Sequence, residues 1–168
     1  MAAALFTKSA HMYGATDALA ASAGFLDGGR PVHEHVTTLL EQRGIDTSRK
    51  RSKKLDATVV EHADLILTMT SEHARGVVSR FPRTITDVYT LRHFGTVVTP
   101  RSPETSMRDW LDSINASNRR AYLGDDEAID IADPIGEGLP VFTELALELE
   151  SAIDWIMGCA YPTSVTAS

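Results

Sequence analysis

Ala63-Asp64-Leu65-Ile66-Leu67-Thr68-Met69-Thr70-Ser71 is the stretch on which the fold turns. Leu65 to Met69 is a continuous apolar run of strand length, the pattern of a strand buried on both faces, as in a parallel sheet. Thr70 or Ser71 can cap the helix that follows, which runs to about Arg80 and is broken by Pro82. A strand that feeds a helix and then a further strand, here Ile85 to Leu91, is the repeating unit of an α/β domain.

Downstream, Gly95 to Pro103 reads as loop, with Pro100 and Pro103 as breakers. Glu104 to Arg120 reads as helix, Gly124 to Asp130 as an acidic, exposed segment. The last helix, about Pro140 to Met157, carries Phe142, Leu145, Leu149, Ile153 and Ile156 on one stripe. Upstream, residues 1–13 form a helix that ends near Gly14, and Asp17 to Ala23 is a weak strand candidate stopped by Gly24. The loop Asp27-Gly28-Gly29-Arg30 leads into a helix with Pro31 in its first turn. That helix has Val32, Val36, Leu39 and Leu40 on one face and Gly44 at its end. The expected organisation is a single domain over residues 1–158 with a tail at 159–168. Three strands are readable, one of them alanine-rich, whereas a parallel sheet usually has four or more. A central strand is therefore expected to be lacking.

Composition narrows the function classes. A length of 168 residues suits one domain with its own core, and 43% hydrophobic with 23% charged residues is ordinary for a globular chain. A net charge of −7 argues against nucleic acid or an anionic membrane as the main partner. Arg49-Lys50-Arg51-Ser52-Lys53-Lys54 is a local basic exception, expected to be a solvated loop. The single cysteine, Cys159, excludes an internal disulfide and a Cys-x-x-Cys pair, which fits a reducing, cytoplasmic setting. Neither a signal peptide nor an apolar run of membrane-spanning length is readable. Of the six histidines, His33 and His35 lie at i, i+2, pointing to different sides of a helix, and His11, His62, His73 and His93 are scattered. Surface or capping roles are expected, His73 in the first turn of its helix, with no metal and no cofactor. Trp110 and Trp155 read as core or inter-helix packing.

An ordered set of motifs carries a resemblance. Ser22-Ala23-Gly24, Pro31 and Gly44-Ile45-Asp46 come first, then Ala63 to Thr70 followed by His73. Val88-Tyr89-Thr90-Leu91-Arg92 with Phe94 comes next, and Asp130-Ile131-Ala132-Asp133-Pro134 with Phe142 closes the set. In this order, from Met1 to about Ile156, they resemble the low-molecular-weight protein tyrosine phosphatases. The resemblance implies a flavodoxin-like α/β fold, a parallel sheet with helices on both faces. It also implies hydrolysis of phosphate monoesters through a phosphocysteine intermediate, with Asp133 as general acid. Asp130 is the nearby competitor and lacks the following proline. Pro134 and Ile135 would flank the substrate, at a position where the family often has an aromatic residue.

In that family a Cys-(five residues)-Arg-Ser/Thr-Pro loop precedes a helix that continues Met-Ala-x-Ala-Leu, and this sequence opens Met1-Ala2-Ala3-Ala4-Leu5. The resemblance therefore implies that one strand and the phosphate loop, roughly 12–18 residues, are absent. The chemistry needs a thiolate of depressed pKa, backbone N–H groups and an arginine around the anion, and an acid for the leaving phenolate, whose conjugate acid has a pKa of about 10. Cys159 is not a replacement, because Val165 stands six positions on where an arginine would be required. The 168 residues are thus expected to be catalytically silent. Three readings follow: a shortened form of an active phosphatase acting on a phosphorylated protein or small phosphomonoester; a loop-less binding or regulatory module completed by a homodimer or a partner strand; or a relative of arsenate reductases on the same fold, disfavoured by the lone cysteine.

Overall fold

The computed structural model describes residues 1–117 and 127–162. They form seven helices, α1 (Ala2–Met12), α2 (Glu34–Glu41), α3 (Ala57–Glu61), α4 (Ser71–Arg80), α5 (Leu91–Val97), α6 (Met107–Ser117) and α7 (Leu139–Ala160). Two strands, β1 (Ile66–Thr68) and β2 (Val88–Thr90), pair in parallel with Ile66 opposite Val88 and Thr68 opposite Thr90. Short 3₁₀ turns occupy Pro82–Thr84 and Glu127–Ile129. The chain is an α/β protein with a parallel sheet. Among the described residues no helix is long and apolar enough to cross a membrane. Contacts group the chain into two compact units, one of Met1–Asp56 with Pro134–Met157, the other of Ala57–Asp133 with the residues from Gly158.

The second unit holds the sheet. Thr70, two residues past β1, and Thr90, the last residue of β2, are both extended, and each side chain accepts the third amide of the helix that follows, from His73 N and His93 N, both at 3.2 Å. These two caps make each strand end a helix start. Burial is uneven. Val88, Tyr89 and Thr90 are fully buried, whereas Ile66 and Leu67 are only half-buried, so the stretch expected to be buried on both faces is the less covered strand. Tyr89 Oη donates to Asn115 Oδ1 of α6 at 2.7 Å, a buried polar pair, with the Phe94 ring edge-on to Tyr89 at 5.3 Å. The α5 helix runs through Gly95, where a loop was expected, because the Thr90 cap and the buried Leu91 and Phe94 outweigh the helix cost of one glycine. Residues 118–126 lie outside the described residues, and with them the end of the helix expected to reach Arg120 and part of the acidic segment 124–130.

In the first unit, α7 is the spine. Phe142 and Ala146 pack with Leu39 of α2, and Met1 and Val36 cover them. The Phe142 ring stacks on His33 at 4.9 Å and meets His35 edge-on at 5.1 Å. The two histidines therefore share one aromatic partner, contrary to the expected divergence. The reason is that α2 begins at Glu34: His33 sits before the helix as its cap, with Nδ1 accepting His35 N at 3.3 Å. Pro31 precedes the helix and takes no part in its first turn. Asp17 to Ala23 is not a strand. Its small side chains bring little to bury and Leu19 is 90% exposed, while Gly24 makes an isolated parallel bridge to Lys54. Trp155, expected in core or inter-helix packing, is 53% exposed, whereas Trp110 is buried and donates from Nε1 to Thr99 O at 2.8 Å.

Arg43, just past α2, grips Glu150 of α7 with a two-pronged pair, Nε–Oε1 2.7 Å and Nη2–Oε2 2.9 Å, while Nη1 donates to Leu39 O. The Arg43 hydrogen bond holds the Glu150 carboxyl below the ordinary glutamate range. A carboxyl lowered by folding adds stability above its unfolded pKa and loses it as pH falls through the folded value. Stability should therefore fall as the pH drops below about 4.3, the ordinary glutamate value. Glu150→Gln should flatten that decline and cost about 1–2 kcal/mol at neutral pH, less than a fully buried pair because 34% of the side chain is in water. Urea unfolding of both proteins at several pH values checks it, and parallel declines would remove Glu150 as the source.

Candidate functional site

The C-terminal end of the parallel pair is where the chain concentrates polar chemistry. Beyond β1, the α4 helix presents its first amides. His73 N is taken by Thr70 Oγ1, and Ser71 N is taken by the Asp130 carboxylate, Oδ1 at 2.7 Å. The same oxygen accepts the Ser71 hydroxyl at 2.7 Å. A carboxylate at a helix N-terminus satisfies orphan N–H groups and meets the positive end of the helix dipole. Ser71 is 2% exposed, so these bonds are shielded from water. Ile131 N donates to Met69 O at 2.8 Å, one residue past β1. Arg92 Nη1, from α5, donates to Asp130 O at 2.5 Å. Residues 130 and 131 are thus held by the ends of both strand–helix units.

Two residues on, the chain emerges. Asp133 is exposed, and Pro134 directs it to extended backbone by excluding the helical region for the residue before it. Glu137 N then donates to Pro134 O at 2.9 Å with Gly136 at φ 96°, the left-handed position of a tight turn that a side chain would strain. Ile135, at the outer corner of that turn, is 64% exposed. Asp133 thus ends the anchored segment of the second unit in solvent, and Pro134 and Ile135 belong to the turn that follows in the first. Asp130, the competitor, has an oxygen committed to Ser71.

Cys159 lies in the last turn of α7, 1% exposed, and burial pushes its thiol pKa up, away from the thiolate a nucleophile needs. Its helix runs past the expected end at Met157 because Arg101 takes the terminal carbonyls: Arg101 N donates to Cys159 O at 2.8 Å and Nε to Ala160 O at 2.7 Å. Among the described residues, no three His, Cys, Asp or Glu side chains gather as a metal would require.

Sequence reasoning missed Ser71 and Arg92 as partners of the 130–133 segment. The only local signal was a serine beside a helix cap; that its partner lies 59 residues away is not written in any spacing. Asp130→Ala should cost about 1–3 kcal/mol, because it leaves the shielded Ser71 N–H and hydroxyl unmet, and Asp130→Asn should cost less because an acceptor remains. Amide exchange at Ser71 should accelerate in the alanine variant. Unchanged exchange and stability would remove Asp130 from the anchor.

The model of the family described as low molecular weight phosphotyrosine protein phosphatase matches residues 1–106, and the chain belongs to that family. It is 29% identical over 134 residues to a protein-arginine-phosphatase of Geobacillus stearothermophilus, covering 79% of this chain and 70% of that one. It is 26% identical over 129 residues to the probable low molecular weight protein-tyrosine-phosphatase EpsP of Ralstonia nicotianae, covering 76% and 67%. Among solved structures, the low molecular weight protein tyrosine phosphatase of T. tengcongensis superimposes with a TM-score of 0.70 at 26% identity, over 93% of this chain and 86% of that one. The YwlE arginine phosphatase of Geobacillus stearothermophilus gives 0.67 at 27%, over 93% and 80%. The match to the family model ends before Asp133, and the structural likeness extends over nearly the whole chain.

Proposed function

We propose that this chain carries the proton-donating and leaving-group side of a protein phosphatase site, with Asp133 as the acid and Pro134 and Ile135 beside the departing group. In the reaction a thiolate attacks phosphorus and the bond to the leaving atom breaks. The leaving atom takes the Asp133 proton, and the Asp133 carboxylate then accepts a proton from the water that cleaves the phosphocysteine. The substrate class is a phosphorylated protein side chain, tyrosine or arginine, as the names of the similar proteins suggest. Both leaving groups are strongly basic and need that proton. The supporting observation is the double anchor of Asp130 on Ser71 and Ile131 on Met69, which fixes the segment while Asp133 stays accessible.

On this reading Cys159 is not the nucleophile, because it is buried and burial raises its thiol pKa. The test joins the chain behind the strand and Cys-x5-Arg loop of the T. tengcongensis relative. The joined protein should hydrolyse phenyl phosphate, and the 168-residue chain should not. Turnover by the chain alone, or a folded joined protein with none, would overturn the reading.

A further inference from the structure

The basic cluster is more than a loop with charges on it. Residues 49–54 contain five cations and no anion; removing that +5 from the chain's −7 leaves −12 on the remaining residues. All five side chains are exposed, as is Arg30. The backbone beneath them is built. Gly24 N donates to Lys53 O at 2.9 Å and Leu55 N to Gly24 O at 2.8 Å. Gly29 N donates to Ser52 O and Ser52 N to Arg30 O, both at 2.9 Å, with Arg30 N on Ser52 Oγ at 3.1 Å. A Cβ at Gly28 would stand 2.7 Å from Ser52 O and 3.2 Å from Lys53 Cα, so the two stretches touch through a residue that must lack a side chain. The Arg51 guanidinium is tied to the backbone on one edge, Nη1 donating to Ser48 O at 3.0 Å and to Lys50 O at 2.7 Å.

The backbone that carries these cations is preorganised. Lys54 alone of the five has an ion-pair partner among the described residues, Asp27 at 2.8 Å, with side chains 60% and 88% exposed. So open a pair holds only weakly and yields readily to another anion. Desolvation costs nothing in advance and the scaffold is already ordered, so an incoming anion meets little of the entropy cost a floppy basic tail would impose.

We infer that the Arg30 and Arg49–Lys54 surface docks an acidic segment of a protein partner, a short stretch of Asp and Glu. Size selects this class. Arg49 lies in the turn closed by Lys50 N on Thr47 O, and the five residues that follow it span at most about 17 Å, so a short peptide of about that length covers them. A nucleic-acid duplex or a lipid surface would extend past them. The residues outside 49–54 carry a net −12, which opposes an extended polyanion. The surface is assigned from charge and backbone geometry alone and stands whether or not the chain takes part in phosphate hydrolysis.

Fluorescence anisotropy on the full 168-residue chain tests it, with a labelled twelve-residue peptide rich in Glu and Asp as probe. The controls are the same peptide with Gln and Asn, an oligouridylate, and phosphatidylserine vesicles. The acidic peptide should bind at least about tenfold more tightly than the neutral one, and should weaken as salt rises. Lys50→Glu with Lys53→Glu should lower its affinity by at least about tenfold with an unchanged unfolding midpoint, since both side chains stand in solvent. If the reversal unfolds the chain, Lys50→Gln with Lys53→Gln takes its place, with about a threefold loss expected. Equal binding of acidic and neutral peptides, no loss in a folded variant, or tighter binding of the oligonucleotide or vesicles would overturn the inference.

Discussion

Asp133→Asn in the loop-joined protein should lower kcat for phenyl phosphate by about 10²–10⁴-fold, the usual contribution of a positioned acid. The amide matches the carboxyl in shape and cannot give a proton, so the loss should fall on the leaving-group step. A dinitrophenyl phosphate, whose phenol leaves as a stable anion, should suffer far less. The contrast separates an acid from a residue that merely supports the turn. An equal loss on both substrates would sink the assignment of Asp133. So would a kcat retained in Asp133→Asn and lost in Asp130→Asn.

Phe142→Ala should be the most destabilising single change in the first unit, at about 3–5 kcal/mol. Its ring is 1% exposed and touches His33 and His35 on one side and Leu39 and Ala146 on another. Ala146 is already the smallest helix-forming side chain, and the histidine rings are fixed, His33 by the cap it makes for α2, so neighbours cannot collapse into the space. Against a typical total stability of about 5–15 kcal/mol, this loss threatens folding itself. Phe142→Leu should cost much less because it retains most of the volume. Urea unfolding measures both; a loss below about 1 kcal/mol for the alanine variant would mean that the cluster repacks.

What could be read from the chain divides by range. β1, the Thr70 cap, the break at Pro82 and the α7 stripe were legible because each is decided by residues within one or two turns. Phe142, Leu149, Ile153 and Ile156 of that stripe are indeed buried. The candidate turn at Asp133-Pro134 was legible for the same reason, since a proline constrains its own neighbour. Illegible were the features set by distant partners. Asp130 serves Ser71 across 59 residues, and Arg101 extends α7 by gripping carbonyls 58 and 59 residues on. The Asp17–Ala23 stretch misled because alanine and serine fill a strand template without supplying anything to bury. Trp155 misled because size suggested burial where the helix turns it outward. Gly95 misled because a glycine signals a break only where no cap and core override it.

The bonds from Arg101 to the end of α7 make the molecule its own clock. The sole thiol of these 168 residues belongs to that last turn and is buried, so a thiol reagent should reach sulfur during intervals when the turn has let go. Colour development with such a reagent therefore counts openings of one defined place, with no label to install and no other sulfhydryl to subtract.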